Sequence, residues 1–171
     1  MENRDYPKNY FKKRLLPLHP RRIRGRVDSD TFFSSIQSIR GFWCVQIFLC
    51  TLSRFIFVKC LKREAHSHSA YLDFIREIGA PNTLLTDNAK TQVGKKWTKT
   101  SRQHVTKKIK TAPHNQHQNQ SERAIQDVKK LVSTTLRLSK APLKFWHYCL
   151  MFIVDCLNFS SRESLSWNTP E

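Results

Sequence analysis

Residues 27–35, VDSDTFFSS, decide how the rest of the chain is read. Short polar residues and aromatic ones follow Val27 in the manner of a strand. Asp28 and Asp30 stand two residues apart on it, so their side chains leave from one face. Two more strand-like runs come next, FWCVQIFLCT at 42–51 and RFIFVKCL at 54–61, rich in aromatic and β-branched residues. The short connection through Thr51–Ser53 makes them a hairpin. The period then changes: Ala70, Leu72, Phe74, Ile75 and Ile78 are spaced as on a helix over 64–78, and Gly79 is a stop signal. A fourth strand is expected at 83–87 (TLLTD), a short helix at 94–104 and a fifth strand at 105–111. A polar loop at 112–120 leads into a helix at 120–138, and a last, apolar helix at 142–158 opens at Pro142. This order predicts an α/β domain, a mixed five-stranded sheet flanked by helices.

The totals fit one such domain. A chain of 171 residues, 39% hydrophobic and 25% charged, can build one core but not two comfortable ones. Thirty Lys+Arg against thirteen Asp+Glu give a net charge of +17. That excess favours polyanionic partners, nucleic acid before an anionic membrane. Much of it lies in residues 1–26, where basic side chains accompany Pro7, Pro17 and Pro20 with little apolar periodicity. We expect 1–24 to be a basic tail or linker and 25–171 the folded core, with order beginning near Val27.

The five cysteines form no CxxC, which fits a reduced intracellular compartment, and Cys149 and Cys156 share a helix face as small apolar packers. The charged first residues do not read as a signal peptide. Apolar runs at 42–58 and 143–159 are interrupted by Gln46, Ser53, Arg54, Lys144, His147 and Asp155, so no membrane span is expected.

In a chain this basic, an acid at a strand end calls for explanation. Asp87 closes the fourth strand at its C-terminal edge, where open α/β sheets place their sites. Glu122 opens the helix after the polar loop. No Asp or Glu lies between them, whereas Lys90, Lys95, Lys96, Lys99, Arg102, Lys107, Lys108 and Lys110 do. Carboxylates flanking a run of cations are the pattern of a metal site inside a phosphate-binding surface. Attack on a phosphodiester benefits from two divalent ions held by hard oxygen ligands. Taken singly, Asp87 could serve a turn with Asn88, and Glu122 could complete a capping box with Asn119.

The segments VDSDTFFSS (27–35), LLTDNAKTQ (84–92), PHNQHQNQSER (113–123) and WNTPE (167–171) resemble the integrase region of copia-type retrotransposons, from about residue 24 to the C-terminus. That resemblance implies a ribonuclease-H-like fold. It also implies a polynucleotidyl transferase that trims element DNA ends with water and joins their 3′-hydroxyls to target DNA. Asp30, which precedes Thr-Phe-Phe as the first acid commonly does in such elements, would be the first catalytic carboxylate, with Asp28 as the fallback. Asp87 and Glu122 would be the second and third. The three would hold two Mg²⁺ or Mn²⁺ ions. DNA, a homo-oligomer of at least two subunits and action in the nucleus are further implications.

Helical spacing adds that Gln126 and Lys129/Lys130 share a face with Glu122, a stripe expected to meet the DNA end. Asn88 and Lys90 after the fourth strand, and His114 and Asn119 in the polar loop, complete the expected DNA contacts. His114 and His117 have no partner Cys or His at zinc spacing.

The sequence also departs from the resemblance. Residues 1–26 contain one histidine, His19, and no cysteine, so they do not supply the His-His-Cys-Cys zinc module of such integrases. The C-terminal DNA-binding domain that the resemblance implies is not within these 171 residues, so the chain is expected to be a fragment of a longer polyprotein. Gln116 and Gln120 stand where prolines are frequent, and Phe42 and Trp43 where small polar residues are usual. These changes leave one rival, a non-catalytic nucleic-acid-binding remnant; the shared fold leaves a second and weaker one, a ribonuclease H.

Overall fold

A computed structural model describes residues 21–86, 94–110 and 120–170. Its strands are β1 (Arg22–Phe33), β2 (Cys44–Cys50), β3 (Ile56–Leu61), β4 (Ala80–Thr86) and β5 (Lys107–Lys110). They form one sheet in the order β3-β2-β1-β4-β5. The β1–β2 and β2–β3 pairs are antiparallel, and β1–β4 and β4–β5 are parallel. The helices are α1 (Ser67–Glu77), α2 (Lys95–Gln103), α3 (Gln120–Ser139) and α4 (Trp146–Phe159). The expected mixed five-stranded sheet flanked by helices is therefore the observed architecture.

The elements differ from expectation mostly at their ends. Helix α1 begins after a separate 3-10 turn at Glu64–His66, and α4 after another at Leu143–Phe145. The start of β1 moves furthest. It begins at Arg22 rather than Val27, because Arg22 and Ile23 pair with Ala80 and Pro81 of β4. The Arg22 guanidinium also donates to Asn82 Oδ1 at 3.0 Å, to the Val105 carbonyl at 3.1 Å and to the His104 carbonyl. An arginine that the composition assigns to a nucleic-acid arm thus ties β1 to β4 and to the turn before β5. Gly79 ends α1 as expected, with φ +135°. A Cβ there would collide with the Arg21 carbonyl, which accepts the Ala80 N–H at 2.7 Å.

Alternation along the strands gives the sheet two apolar faces, each covered by helices. On one face Val27, Phe48 and Leu84 pack against Tyr71 and Phe74 of α1 and Trp97 of α2. Phe48 stacks on Phe74 at 4.6 Å, and Tyr71 on Trp97 at 4.7 Å. On the other face Val45, Ile47 and Leu49 pack against Ile125, Val128 and Leu136 of α3 and Trp146, Leu150 and Val154 of α4. Full burial of each such side chain stabilises the fold by about 1.5–3 kcal/mol.

Polar clamps fix α4 in place. The Asn158 amide accepts from the Ile56 N–H at 2.9 Å and donates to the Ile56 carbonyl at 2.8 Å, pairing with the edge strand β3. Trp146 Nε1 donates to the Ile36 carbonyl at 3.0 Å, holding the connection between β1 and β2. Phe42, unusual by the resemblance, has a packing role: it meets His147 edge-on at 5.5 Å.

One expectation for α4 fails. Cys149 packs against the second core, but Cys156, one heptad on, is exposed. Its neighbours Met151, Phe152 and Phe159 are exposed as well. The apolar character of this helix exceeds what the sheet can cover. Among the described residues no helix is long and apolar enough to cross a membrane.

Candidate carboxylate site and nucleic-acid interface

The two faces of β1 assign its acids. Val27 belongs to the core under α1, whereas Phe32 packs into the core under α3. Alternation puts Asp28 and Asp30 on the Phe32 side. They differ sharply there. Asp28 is fully buried and bound by Arg26, with Nε–Oδ1 at 2.7 Å and a second guanidinium nitrogen on Oδ2 at 3.1 Å. The guanidinium thus covers both carboxylate oxygens, one by a hydrogen bond and the other by a close ion pair. Asp30 is half-buried, and its Oδ1 accepts the Thr31 N–H at 2.7 Å.

Asp30 also sits at a defined place in the sheet. The parallel pairing of β1 with β4 ends at Ser29 and Thr86, the residues immediately before Asp30 and Asp87. Its backbone is fixed by Gln46, which reads in the sequence only as a polar break in an apolar run. Gln46 is fully buried. Its amide donates to Ser29 Oγ and to the Asp30 carbonyl, both at 2.8 Å, and its Oε1 accepts the Thr31 hydroxyl at 2.7 Å. A buried amide with its donors and acceptor used in this way holds one backbone geometry, because an unmet partner would be costly. Gln46 is the positioning residue that sequence reasoning missed. The available signal was a glutamine at the centre of a strand buried along its whole length.

Glu122 lies in the first turn of α3 and is exposed. Ile125 and Val128 turn inward, while Gln126, Lys129 and Lys130 are exposed with Glu122 along the expected stripe. The Lys129 ammonium lies 5.0 Å from the ring centroid of Phe32, two residues beyond Asp30 on the same strand. The stripe of α3 therefore runs beside the end of β1 that carries Asp30. A cleft of about 370 Å³ separates the two further along, lined by Phe32, Phe33, Val132 and Leu136 among others. Asp87, Asn88, Lys90, His114 and Asn119 lie outside the described residues. Among the described residues no group of three His, Cys, Asp or Glu side chains could hold a metal ion. The half-buried carboxylate of Asp30 and the exposed one of Glu122 are of the hard-oxygen type that Mg²⁺ and Mn²⁺ prefer.

The opposite face of the sheet is basic in a different way. Lys95, Lys96, Lys99 and Arg102 project from α2 into solvent, while Trp97, Thr100 and Ser101 are buried. Burial, and then the nearby Lys96 charge, hold the His68 imidazole below its ordinary pKa; His68 lies 2.8 Å from the Thr100 hydroxyl.

No protein-family model matches the chain, and no curated protein sequence matches it significantly. Solved structures do. The HTLV-2 integrase catalytic core domain in complex with magnesium, in its trimeric form, aligns at TM-score 0.67 and 19% identity, over 91% of this chain and 95% of that one. Its dimeric form aligns at TM-score 0.66 and 19% identity, over 90% and 95%. The simian T-cell lymphotropic virus intasome in complex with a PP2A regulatory subunit aligns at TM-score 0.66 and 15% identity, over 82% of this chain and 52% of that one. At these identities the likeness is one of fold: the chain has the ribonuclease-H-like architecture of retroviral integrase catalytic cores.

Proposed function

We propose that this chain is a polynucleotidyl transferase of the integrase type, from a copia-like retrotransposon, acting on element DNA ends and on target DNA. The observation that carries the reading is the pairing of that fold with a half-buried Asp30 near the end of β1, beside the α3 stripe headed by Glu122. Asp30, Asp87 and Glu122 are the ligands we assign to two Mg²⁺ or Mn²⁺ ions. When bound, such ions would activate water or a 3′-hydroxyl and stabilise the leaving oxygen.

The protein's own groups have separate tasks. Gln46 holds the Asp30 backbone in one position. Gln126, Lys129 and Lys130 hold phosphates of the DNA end, with Asn88, Lys90, His114 and Asn119 as further contacts. Asp28 is committed to Arg26 and is left out of the ligand set. The exposed apolar side chains of α4 suit burial against a second subunit, in keeping with the dimeric and trimeric forms of the similar structures. Action in the nucleus follows from the function alone.

The test is end processing of an element-like duplex. Wild type should release the terminal nucleotides only when Mg²⁺ or Mn²⁺ is present, and Asp87→Asn should fall to the level of the metal-free control. Equal processing by wild type and Asp87→Asn refutes the assignment. The remnant reading, favoured by Gln116, Gln120 and Trp43, predicts salt-sensitive DNA binding with no processing by either.

A further inference from the structure

The charges of α2 are arranged against the stability of their own helix. Lys95 and Lys96 occupy its first turn, where the macrodipole disfavours cations; no acid accompanies them and no side chain caps the start. Lys99 stands at i+4 from Lys95 and i+3 from Lys96, and Arg102 at i+3 from Lys99. Like-charge pairs at such spacing destabilise a helix. Among the described residues none of the four makes an ion pair, and Asp73 of α1 is already held by Lys59 at 2.8 Å and Arg76 at 3.2 Å. The helix is held instead from below, by Trp97 stacked on Tyr71 at 4.7 Å. A repulsive row on a well-anchored helix is stabilised when a polyanion lies on it.

We infer that this outer face of α2 is a second track for the phosphate backbone of duplex DNA, on the opposite face of the sheet from the α3 stripe. The inference rests on the proposed function for its choice of DNA. The row from Lys95 to Arg102 rises about 10 Å, which spans roughly three phosphates of one strand at about 3.4 Å of axis each. Membranes fit it poorly, because the exposed side chains of α2 itself are all charged or polar and offer no apolar group to insert. Single strands fit it poorly too, because the one aromatic residue of α2, Trp97, is buried and offers no stacking platform. What remains is charge without base contacts, a surface that fixes a duplex but does not read it.

The experiment is the salt dependence of binding to a blunt duplex by fluorescence anisotropy, with metal chelated so that the carboxylates play no part. Lys95→Gln/Lys96→Gln/Lys99→Gln/Arg102→Gln should lower the slope of log K against log salt by about 2–4, at roughly 0.9 per phosphate contact. Its Tm should hold or rise, since repulsion is removed. Lys95→Arg/Lys96→Arg/Lys99→Arg should keep the wild-type slope. An unchanged slope in the glutamine variant overturns the inference, as does its loss in the arginine variant. Equal competition by duplex RNA, or equal binding to anionic vesicles, overturns the choice of DNA. If the slope is unchanged while metal-dependent end processing persists, only the α2 track fails; if the slope falls but processing is absent, only the catalytic reading fails.

Discussion

Helices α2 and α3 lie on opposite faces of one sheet and are both basic, yet they are built by different rules. Helix α3 is 20 residues long and buries an aliphatic row, Ile125, Val128 and Leu136, while Glu122 and Asp127 are interleaved with its cations. Helix α2 has nine residues, buries one tryptophan and two hydroxyl side chains, and carries no acid. Many modest contacts hold α3, so it can also carry a carboxylate site. Trp97 is the one large apolar anchor of α2, aided by hydrogen-bond contacts of Thr100 and Ser101 to α1, and the outer face is given over to charge.

The largest effect that could break this contrast is at Trp97. Trp97→Ala should cost about 3–5 kcal/mol, because the residue is 1% exposed and its stacking partners Tyr71 and Phe48 cannot close the gap. Val128→Ala on α3 should cost only about 2 kcal/mol, since Ile125 and Leu136 still hold that helix. Urea unfolding of both variants measures the difference. Equal losses would mean that Trp97 is not the chief anchor of α2.

A smaller effect sharpens the account of the α3 face. His147 of α4 is buried among Phe42, Trp146 and Tyr148. Burial, and then the charge of Arg40, push its pKa below the ordinary 6.5. The unfolded chain therefore takes up a proton as pH falls through 6.5 while the folded chain does not. The stability from this group is present above that pH and is lost as pH falls towards the lower folded value. Between pH 7.5 and 5.5 (two values chosen to bracket the ordinary pKa) wild type should lose more stability than His147→Gln. Equal losses would show that the folded protein accepts the proton.

The same contrast explains what could be read from the sequence. Helix α3 announces itself through Ala124, Ile125, Val128, Leu131, Val132 and Leu136, and its bounds shift by one residue. Its stripe of Glu122, Gln126, Lys129 and Lys130 follows from spacing alone. Helix α2 shows only Gly94 and a lone Trp97, because its inner face is satisfied by hydroxyls that carry no apolar period. The early start of β1 was hidden for a similar reason: Arg22 and Arg26 look like tail charges, and only the fold supplies the carbonyls and the buried Asp28 that they bind. Asp28 and Asp30 could not be ranked by spacing, since both leave one face of one strand. Burial separates them.

We propose that Asp30 belongs to a divalent-metal site, and calorimetric titration of wild type and Asp30→Asn with Mn²⁺ is the decisive measurement. Saturable binding by wild type that is lost in Asp30→Asn is the predicted result. No binding by wild type, or the same binding by both, would contradict it.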